Sequence, residues 1–238
     1  MKHSISVIIA ILNEERTIAT IAETVLTWGK AKELIVVDDE GSSDNSKGAL
    51  KQFGKRLVYL RNKKGIGKSE AMYDGIKKST GSLLMILDGD MTNLTHSNLD
   101  AMTDPVAKGK AAMAIGVPRF WKAGAFEPWN DVSGTRVLRR DILMPHLEKM
   151  RTTAYGVEVF LNGLYEKDGI ERVQLPYVYV FNKWAKKSIP EAVEEYIREG
   201  RDLLQQTLVT QSSEITPKVR ELFELALTYL KRALEYLQ

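Results

Sequence analysis

The sequence contains no cysteine, and this absence excludes several kinds of site. Without cysteine the 238-residue chain has no disulfide framework, no thiolate nucleophile and no cysteine-ligated zinc. The three histidines, His3, His96 and His146, are scattered and form no metal-ligand spacing. Because cysteine-free chains are typical of a reducing compartment, we expect a cytoplasmic protein.

No charge of one sign dominates, and there is no long hydrophobic run. The chain has 34 basic and 31 acidic residues and a net charge of +3. Basic and acidic residues are so nearly balanced that the composition does not indicate nucleic acid as a partner. No stretch approaches the roughly 20 apolar residues of a membrane-spanning helix, so we expect any membrane contact to be peripheral. The apolar run over residues 5–12 is short and leads into Asn13-Glu14-Glu15-Arg16, which predicts a first strand and not a signal peptide.

The sequence does have enough apolar residues, 44% of the chain, for one sizeable core. In the first 90 residues, apolar runs alternate with helical periodicity, which predicts right-handed crossovers and an α/β fold with a mainly parallel sheet. The predicted strands cover residues 5–12, 33–38, 57–60 and 82–87, and the predicted helices end near Trp28, Gly54 and Ser79.

The second half is less regular and ends in a segment of different character. We predict helices over residues 97–108, 139–150 and 153–165, a strand over 111–117, an aromatic loop over 118–129 and a strand or hairpin over 170–181. Residues 188–238 contain two amphipathic helices that predict a helical hairpin. We therefore divide the chain into a main domain over residues 1–187 and a helical extension, which packs on that domain or forms a homodimer.

Two aspartates, Asp88 and Asp90, follow the apolar strand over residues 82–87. Residues i and i+2 of a strand point the same way, so both carboxylates can face one small volume, while Gly89 lets a ligand approach the backbone. Hard oxygen ligands of this kind favour Mg²⁺ or Mn²⁺. The plain alternative is a strand-to-loop turn, for which aspartate and glycine are ordinary residues.

Four segments occur in a characteristic order within about the first 95 residues. They are Val7-Ile8-Ile9-Ala10-Ile11-Leu12-Asn13-Glu14-Glu15, Ile35-Val36-Val37-Asp38-Asp39-Glu40-Gly41-Ser42-Ser43-Asp44, Gly65-Ile66-Gly67-Lys68 and Leu87-Asp88-Gly89-Asp90. Together they resemble the family 2 glycosyltransferases, which have the GT-A fold. Ser133-Gly134-Thr135-Arg136, leading into Arg139-Arg140, resembles an acceptor-side segment of the same family.

The resemblance implies an enzyme that moves a sugar from a UDP- or GDP-sugar to a hydroxyl or phosphate acceptor with inversion. In such enzymes the end of the first strand and Asp39 hold the nucleobase, and Asp90, with Asp88, holds the Mg²⁺ or Mn²⁺ that bridges the diphosphate. The nucleotide contacts implied are Ala10, Leu12, Glu14, Asp38, Asp39, Lys64, Lys68, Asp88 and Gly89. Lys64 and Lys68 could equally belong to a solvated basic loop.

On the acceptor side the resemblance implies an acidic general base when the acceptor is a hydroxyl. Glu158 is the candidate, with Asp131 in reserve, although Glu158 could also be an ordinary exposed glutamate at a helix start. In the polyprenyl-phosphate sugar synthases of this family the acceptor is a phosphate and needs no base. Arg136, Arg139 and Lys183 would then be candidates to hold it. The acceptor stays open among polyprenyl phosphate, a glycan and a small molecule.

Two departures from the family pattern bear on the donor site. Ala10 stands where the family usually has proline, which mainly stiffens the strand exit. Glu40 is an extra residue between the paired aspartates and Gly41-Ser42, so the base contact could be Asp38 or Asp39.

Two other functions compete with glycosyl transfer. A sugar-phosphate nucleotidyltransferase would require a glycine-rich, arginine-containing loop after the first strand, and Leu12-Asn13-Glu14-Glu15 lacks that composition. A catalytically impaired nucleotide-sugar-binding or scaffold protein would keep the pocket and use the helical extension as its interaction surface.

Overall fold

The strands and helices follow one another in the alternating order that the sequence predicts. This computed structural model describes residues 3–62, 67–118, 133–153 and 156–180, and the single residues 197, 200 and 201. The strands are β1 Ile5–Ile11, β2 Ala31–Asp38, β3 Val58–Arg61, β4 Leu83–Asp88, β5 Met91–Thr92, β6 Met113–Pro118, β7 Arg136–Arg139, β8 Ile170–Leu175 and β9 Tyr179–Val180. The helices are α1 Ile18–Trp28, α2 Ser46–Leu50, α3 Lys68–Lys78, α4 His96–Ala107, α5 Arg140–Leu143, α6 Leu147–Arg151 and α7 Val157–Tyr165, with 3₁₀ turns at Lys51–Arg56, Met144–His146 and Glu166–Asp168.

Seven of these strands form one mixed, mostly parallel sheet in the order β3-β2-β1-β4-β7-β6-β8. Parallel pairing joins β3, β2, β1 and β4, and it also joins β6 to β8. β7 runs antiparallel to both of its neighbours, β4 and β6. The prediction of an α/β fold with a mainly parallel sheet is confirmed.

The core lies on both faces of the sheet because its central strands are apolar on both faces. Val7 and Ile9 of β1 face one side and pack with α1 and α4, whereas Ile8 faces the other and packs with α3 and α7. All three are fully buried. An apolar residue at every position is what a parallel strand covered on both sides requires.

Two predicted elements differ from the structure. The helix predicted over residues 139–150 is divided into α5, a 3₁₀ turn that contains Pro145, and α6, and its first residue, Arg139, belongs to β7. The segment 170–181 does contain β8, but the alternative of a hairpin is wrong. After Pro176 the chain turns at Tyr177, whose φ is 66°, and β9 pairs with β5 in a separate two-stranded sheet. The predicted helical extension lies outside the described residues, so it and the domain boundary stay predictions.

Glu33 of β2 forms hydrogen bonds to β1 and to the segment before β4 at the amino-terminal edge of the sheet. Its Oε1 accepts hydrogen bonds from Ser6 Oγ at 2.5 Å, Thr80 N at 2.7 Å and Thr80 Oγ1 at 2.8 Å. Burial alone would raise the pKa of Glu33, but the donated hydrogen bonds outweigh it and hold the pKa below the ordinary value of 4.5. The ionised form is therefore the one that stabilises the fold.

We expect Glu33→Gln to lower the free energy of unfolding by about 1 kcal/mol at pH 7. A lowered folded-state pKa gives stability that is complete above pH 4.5 and is lost as the pH falls through the lowered value. The difference between wild type and variant should therefore shrink below pH 4.5, as measured by urea unfolding over a pH series. An equal difference at pH 7 and pH 3 would contradict this account.

Candidate active site

The predicted site residues meet where β1, β2 and β4 end. Asp38 is the last residue of β2 and pairs with Ile11 of β1, while Asp88 is the last residue of β4 and pairs with Ala10. Because parallel strands end at the same edge of a sheet, both aspartates and the exit of β1 lie along one edge. That edge is where open α/β sheets bind ligands.

The loops that follow β1 and β2 are fastened to each other. Asn13, in a left-handed conformation with φ 59°, accepts hydrogen bonds at Oδ1 from Ser43 N at 2.8 Å and Asp44 N at 3.2 Å. In the reverse direction Glu14 N donates to Ser46 Oγ at 2.9 Å. These bonds hold the predicted nucleotide contacts Leu12 and Glu14 beside the loop that begins at Asp39.

Asp38 and Asp39 have different surroundings. Asp38 is 1% exposed, and its Oδ2 accepts hydrogen bonds from Tyr59 OH and from Arg61 Nη1 at 3.4 Å. Burial and this bond to Asp38 raise the pKa of Tyr59 to about 12. Asp39 is 9% exposed, and its Oδ1 accepts from Gly41 N at 2.8 Å. Asp38 is thus anchored inward by two side chains, whereas Asp39 lies on the loop itself.

Arg61 accommodates the extra residue in that loop. Its Nη2 donates to Glu40 O at 2.9 Å and to Ser42 O at 3.1 Å, while Nη1 contacts Asp38. One guanidinium therefore holds the loop at both Glu40 and Ser42. The sequence predicts no role for Arg61 by motif, although the position of this arginine directly after a predicted strand was a usable signal.

Lys68 joins two of the predicted site carboxylates. Its Nζ lies 2.8 Å from Asp88 Oδ1 and 2.8 Å from Glu158 Oε1. The side chain of Glu158 is only 7% exposed, so the alternative of an ordinary exposed glutamate at a helix start is wrong. Lys68, Asp88 and Glu158, separated by up to 90 positions along the chain, thus form one ion cluster at the sheet edge.

The charges in this cluster stabilise one another. Burial alone would lower the pKa of Lys68, but the negative charges of Asp88 and Glu158 outweigh it and raise the pKa above its ordinary value. Burial would likewise raise the pKa of Asp88, but the charge of Lys68 holds it below the ordinary range. Lys68 is therefore a cation and Asp88 a carboxylate at neutral pH.

The segment 133–135 covers the cluster closely. Thr135 Oγ1 donates to Asp88 Oδ2 at 3.2 Å. A Cβ atom on Gly134 would lie 2.2 Å from Lys68 Nζ and 2.3 Å from Asp88 Oδ1, so only glycine fits without moving the ion pair. Thr135 belongs to the acceptor-side segment that the resemblance indicated, but its contact with Asp88 is not predictable from that segment alone.

We expect Gly134→Ala to reduce kcat/KM about tenfold, because the added methyl group displaces Lys68 or Asp88 from the other. Steady-state kinetics with the substrates proposed below would measure the effect. Gly109→Ala is the matched control: its φ is 69° and nothing lies near the added Cβ, so it costs stability without touching the site. If both variants lost activity equally, general destabilisation would replace our explanation.

Gly89 makes room for the exit of β1. A Cβ there would meet Ile11 Cγ2 at 2.7 Å and Glu14 Cγ at 3.0 Å. Its contact with a nucleotide stays a prediction. Its carbonyl accepts a hydrogen bond from Thr17 Oγ1 at 2.6 Å. The turn at Gly89 and Asp90 is thereby fixed against the start of α1, and Asp90 lies partly buried within it.

Arg136 and Arg139, the two described residues predicted to hold an acceptor phosphate, lie apart from each other. Arg136 is fully buried in β7, where Nε donates to Ser133 O at 2.8 Å and Nη1 donates to Asn162 Oδ1. Arg139 pairs with Leu83, at the start of β4 and roughly 16 Å from its end at Asp88. The antiparallel course of β7 thus carries Arg139 to the opposite edge of the sheet, and the structure does not bring it to the site. Arg136 holds segment 133–135 in place through its hydrogen bond to Ser133 O.

Three predicted site residues, Lys64, Asp131 and Lys183, lie outside the described residues. Over the described part of the chain, no group of three or more histidine, cysteine, aspartate or glutamate side chains could hold a metal ion. Asp88 and Asp90 nevertheless supply hard oxygen donors, and Mg²⁺ is commonly held by one or two carboxylates together with substrate phosphates. The donor set fits a divalent ion that arrives with a diphosphate.

Comparison with known proteins decides the family. The family described as Glycosyl transferase family 2 matches residues 6–174, more than half of the chain. The chain belongs to this glycosyltransferase family. The match begins at the second residue of β1, includes β2 to β4 and extends beyond Glu158, so Lys68, Asp88 and Glu158 all lie within the family domain.

Two curated relatives of this glycosyltransferase align over shorter segments. An undecaprenyl-phosphate 4-deoxy-4-formamido-L-arabinose transferase from Enterobacter sp. (strain 638) is 30% identical over 99 residues, 38% of this chain. Glycosyltransferase AglE from Haloferax volcanii is 36% identical over 91 residues, 36% of this chain. The aligned segment is 30% of each relative's own length.

Solved structures share the fold of this family 2 domain. A glucosyl-3-phosphoglycerate synthase from Mycobacterium tuberculosis, in complex with Mn²⁺, UDP and glucosyl-3-phosphoglycerate, superposes with a TM-score of 0.67 at 21% identity and covers 87% of this chain and 80% of that one. The same synthase with Mg²⁺ and UDP also gives 0.67, at 22% identity, with coverage of 87% and 79%. The GT-A fold is confirmed. Among the described helices, none is both long and apolar enough to cross a membrane.

Proposed function

We propose that this family 2 protein transfers a sugar from a nucleotide-diphosphate donor to an acceptor, and that Asp90 and Asp88 would hold the Mg²⁺ or Mn²⁺ that the reaction uses. The observation that carries the proposal is the ion cluster of Lys68, Asp88 and Glu158 at the sheet edge that also holds Asp39. Lys68 can neutralise a diphosphate, Asp88 can bind a divalent ion, and Glu158 can accept a proton from an acceptor.

The donor end of the site is formed by the fastened loops after β1 and β2. Asp39 is the better nucleobase contact, because Asp38 is anchored inward by Tyr59 and Arg61. A carboxylate at that position can accept the N3 proton of uracil, which suits UDP as the donor nucleotide. The solved synthase structures contain UDP, and this supports the same choice.

The diphosphate lies next to Asp88 and Lys68 in this arrangement. When bound, the divalent ion supplies Lewis-acid neutralisation of the diphosphate leaving group. Lys68 adds positive charge at the same place, and Thr135 and Gly134 hold Asp88 in position from the other side. Glu158, which is bonded to the same Lys68, lies beside the place proposed for the diphosphate.

Glu158 acts on the acceptor. Its carboxylate takes the proton of an acceptor hydroxyl as that oxygen attacks the anomeric carbon and the bond to the diphosphate breaks, which inverts the sugar configuration. A phosphate acceptor is already ionised and needs no base. A relative acting on undecaprenyl phosphate and solved structures holding phosphoglyceric acid both favour an acceptor that carries phosphate.

A panel of nucleotide sugars, read first by thermal shift with and without Mn²⁺ and then by product formation, tests the proposal. We expect UDP-sugars, or failing them GDP-sugars, to stabilise the protein in the presence of Mn²⁺, by about 2.7 kcal/mol at a concentration of 100 Kd. Polyprenyl phosphate, a small phosphorylated hydroxy acid and a glycan serve as acceptors. Stabilisation without product would favour the scaffold alternative, and no stabilisation by any donor would overturn the proposal.

A further inference from the structure

The oxygen atoms of Asp88 that a metal ion would use are already engaged. Oδ1 lies 2.8 Å from Lys68 Nζ, and Oδ2 accepts from Thr135 Oγ1 at 3.2 Å. The same ammonium group is shared with Glu158. A divalent ion that approaches Asp88 Oδ1 therefore meets a resident positive charge and must displace it.

We propose that Lys68 is a built-in counter-ion, which neutralises Asp88 and Glu158 while the donor is absent and moves to the donor diphosphate when it binds. The divalent ion then binds Asp88 tightly only together with the nucleotide. This inference rests on the proposed function and adds to it an order of events: Lys68 competes with the metal before the donor binds and cooperates with it afterwards.

Lys68 has the freedom that such an exchange requires. It is the first residue of α3 and follows Gly67, whose φ is 93°. Its side chain is 26% exposed, so Lys68 is not sealed in the interior. A lysine ammonium is a point charge on a flexible stem, so it can change partners by rotation where a guanidinium fork would lose its geometry.

The exchange also affects the proposed base. While Lys68 is bonded to Glu158 Oε1, that oxygen is occupied by an ammonium donor. When Lys68 turns to the diphosphate, Glu158 becomes available to accept the hydrogen bond of an acceptor hydroxyl. Donor binding therefore precedes productive acceptor binding.

Mn²⁺ binding to the full chain, measured by the EPR signal of free Mn²⁺ with and without saturating UDP, or GDP where that is the nucleotide bound, tests the inference. For wild type we expect Mn²⁺ to bind at least about tenfold tighter in the presence of the nucleotide. Tight binding of Mn²⁺ alone, with no gain from either nucleotide, would overturn the inference.

Lys68→Met removes the competitor, so we expect Mn²⁺ alone to bind this variant about tenfold tighter than it binds wild type, and the gain from nucleotide to shrink. Lys77→Met is the matched control, because Lys77 lies on the same helix and donates to Tyr73 OH away from the cluster. Unchanged or weaker binding of Mn²⁺ alone to Lys68→Met would show that Lys68 is only a phosphate contact.

Glu158→Gln tests the inference in the opposite direction and does not require that Lys68→Met folds. The variant removes one of the two negative charges that share Lys68, so Lys68 binds Asp88 more strongly and Mn²⁺ alone should bind severalfold more weakly than to wild type. Unchanged or tighter binding would contradict the exchange. If neither UDP nor GDP binds wild type with Mn²⁺, the proposed function fails; if one binds and the variants behave otherwise than stated, the counter-ion inference alone fails.

Discussion

Glu158→Gln should lower kcat for transfer to a hydroxyl acceptor by about 10²- to 10⁴-fold while the KM for the donor changes little. The amide keeps the shape of the side chain and can still contact Lys68, but it cannot take the acceptor proton. Glu158 is 5% exposed and bonded to Lys68, so the substitution removes one negative charge from a buried ion cluster. Steady-state kinetics with donor and acceptor varied separately would measure both constants.

Glu33→Gln is the matched control for this experiment. Glu33 is also a partly buried glutamate that accepts hydrogen bonds, but it lies at the amino-terminal edge of the sheet, opposite the site. The control should lose stability and keep kcat. Retention of hydroxyl transfer within tenfold of wild type by Glu158→Gln would refute its role as base, and loss for a hydroxyl acceptor but not for a phosphate acceptor would identify the proton transfer as the step affected.

Asp90→Ala should abolish metal-dependent turnover, with kcat/KM reduced by about 100-fold or more, because Lewis-acid stabilisation of the leaving group is worth several kcal/mol. Asp90 lies in the turn directly after Asp88, and its carboxylate is the second hard ligand that the chain offers there. The stabilisation of the protein by UDP with Mn²⁺ should disappear in the same variant. Thermal shift and kinetics over a series of Mn²⁺ concentrations would measure these effects.

Asp104→Ala provides the comparison for Asp90→Ala. Asp104 is an exposed aspartate on α4 that pairs with Lys108 at 2.5 Å, so its loss removes the same charge without reaching the site. The fold of both variants should be intact, as judged by their unfolding midpoints without ligand. Unchanged metal-dependent activity in Asp90→Ala would refute the metal role assigned to this residue.

The half of the fold that carries the donor site could be predicted because its signals are local. The apolar runs over residues 5–12 and 82–87 form β1 and β4. Helix α3 begins at Lys68, directly after Gly67, as predicted. Parallel strands then place their carboxyl ends together, so Asp38 and Asp88 had to lie along one edge. The pattern needed only strand length, periodicity and the handedness of crossovers.

β7 could not be predicted in the same way. Its four residues begin and end with arginine, so they do not read as a buried strand, yet Arg136 is fully buried because Ser133 O and Asn162 accept its hydrogen bonds. The antiparallel direction of this strand separates Arg136 from Arg139, two residues that the sequence placed together. Pairing between distant strands depends on the whole sheet and leaves no local periodicity.

The sequence by itself determined the order of the strands and helices in the first 90 residues, the family, and the identity of the carboxylates at the strand ends. Only the tertiary structure decided that Lys68 lies between Asp88 and Glu158, that Glu158 is buried, and that Arg139 is at the opposite edge of the sheet. The physical reason is that periodicity and turn chemistry act over a few residues, whereas an ion cluster between residues 68, 88 and 158 exists only after the sheet and its covering helices have packed.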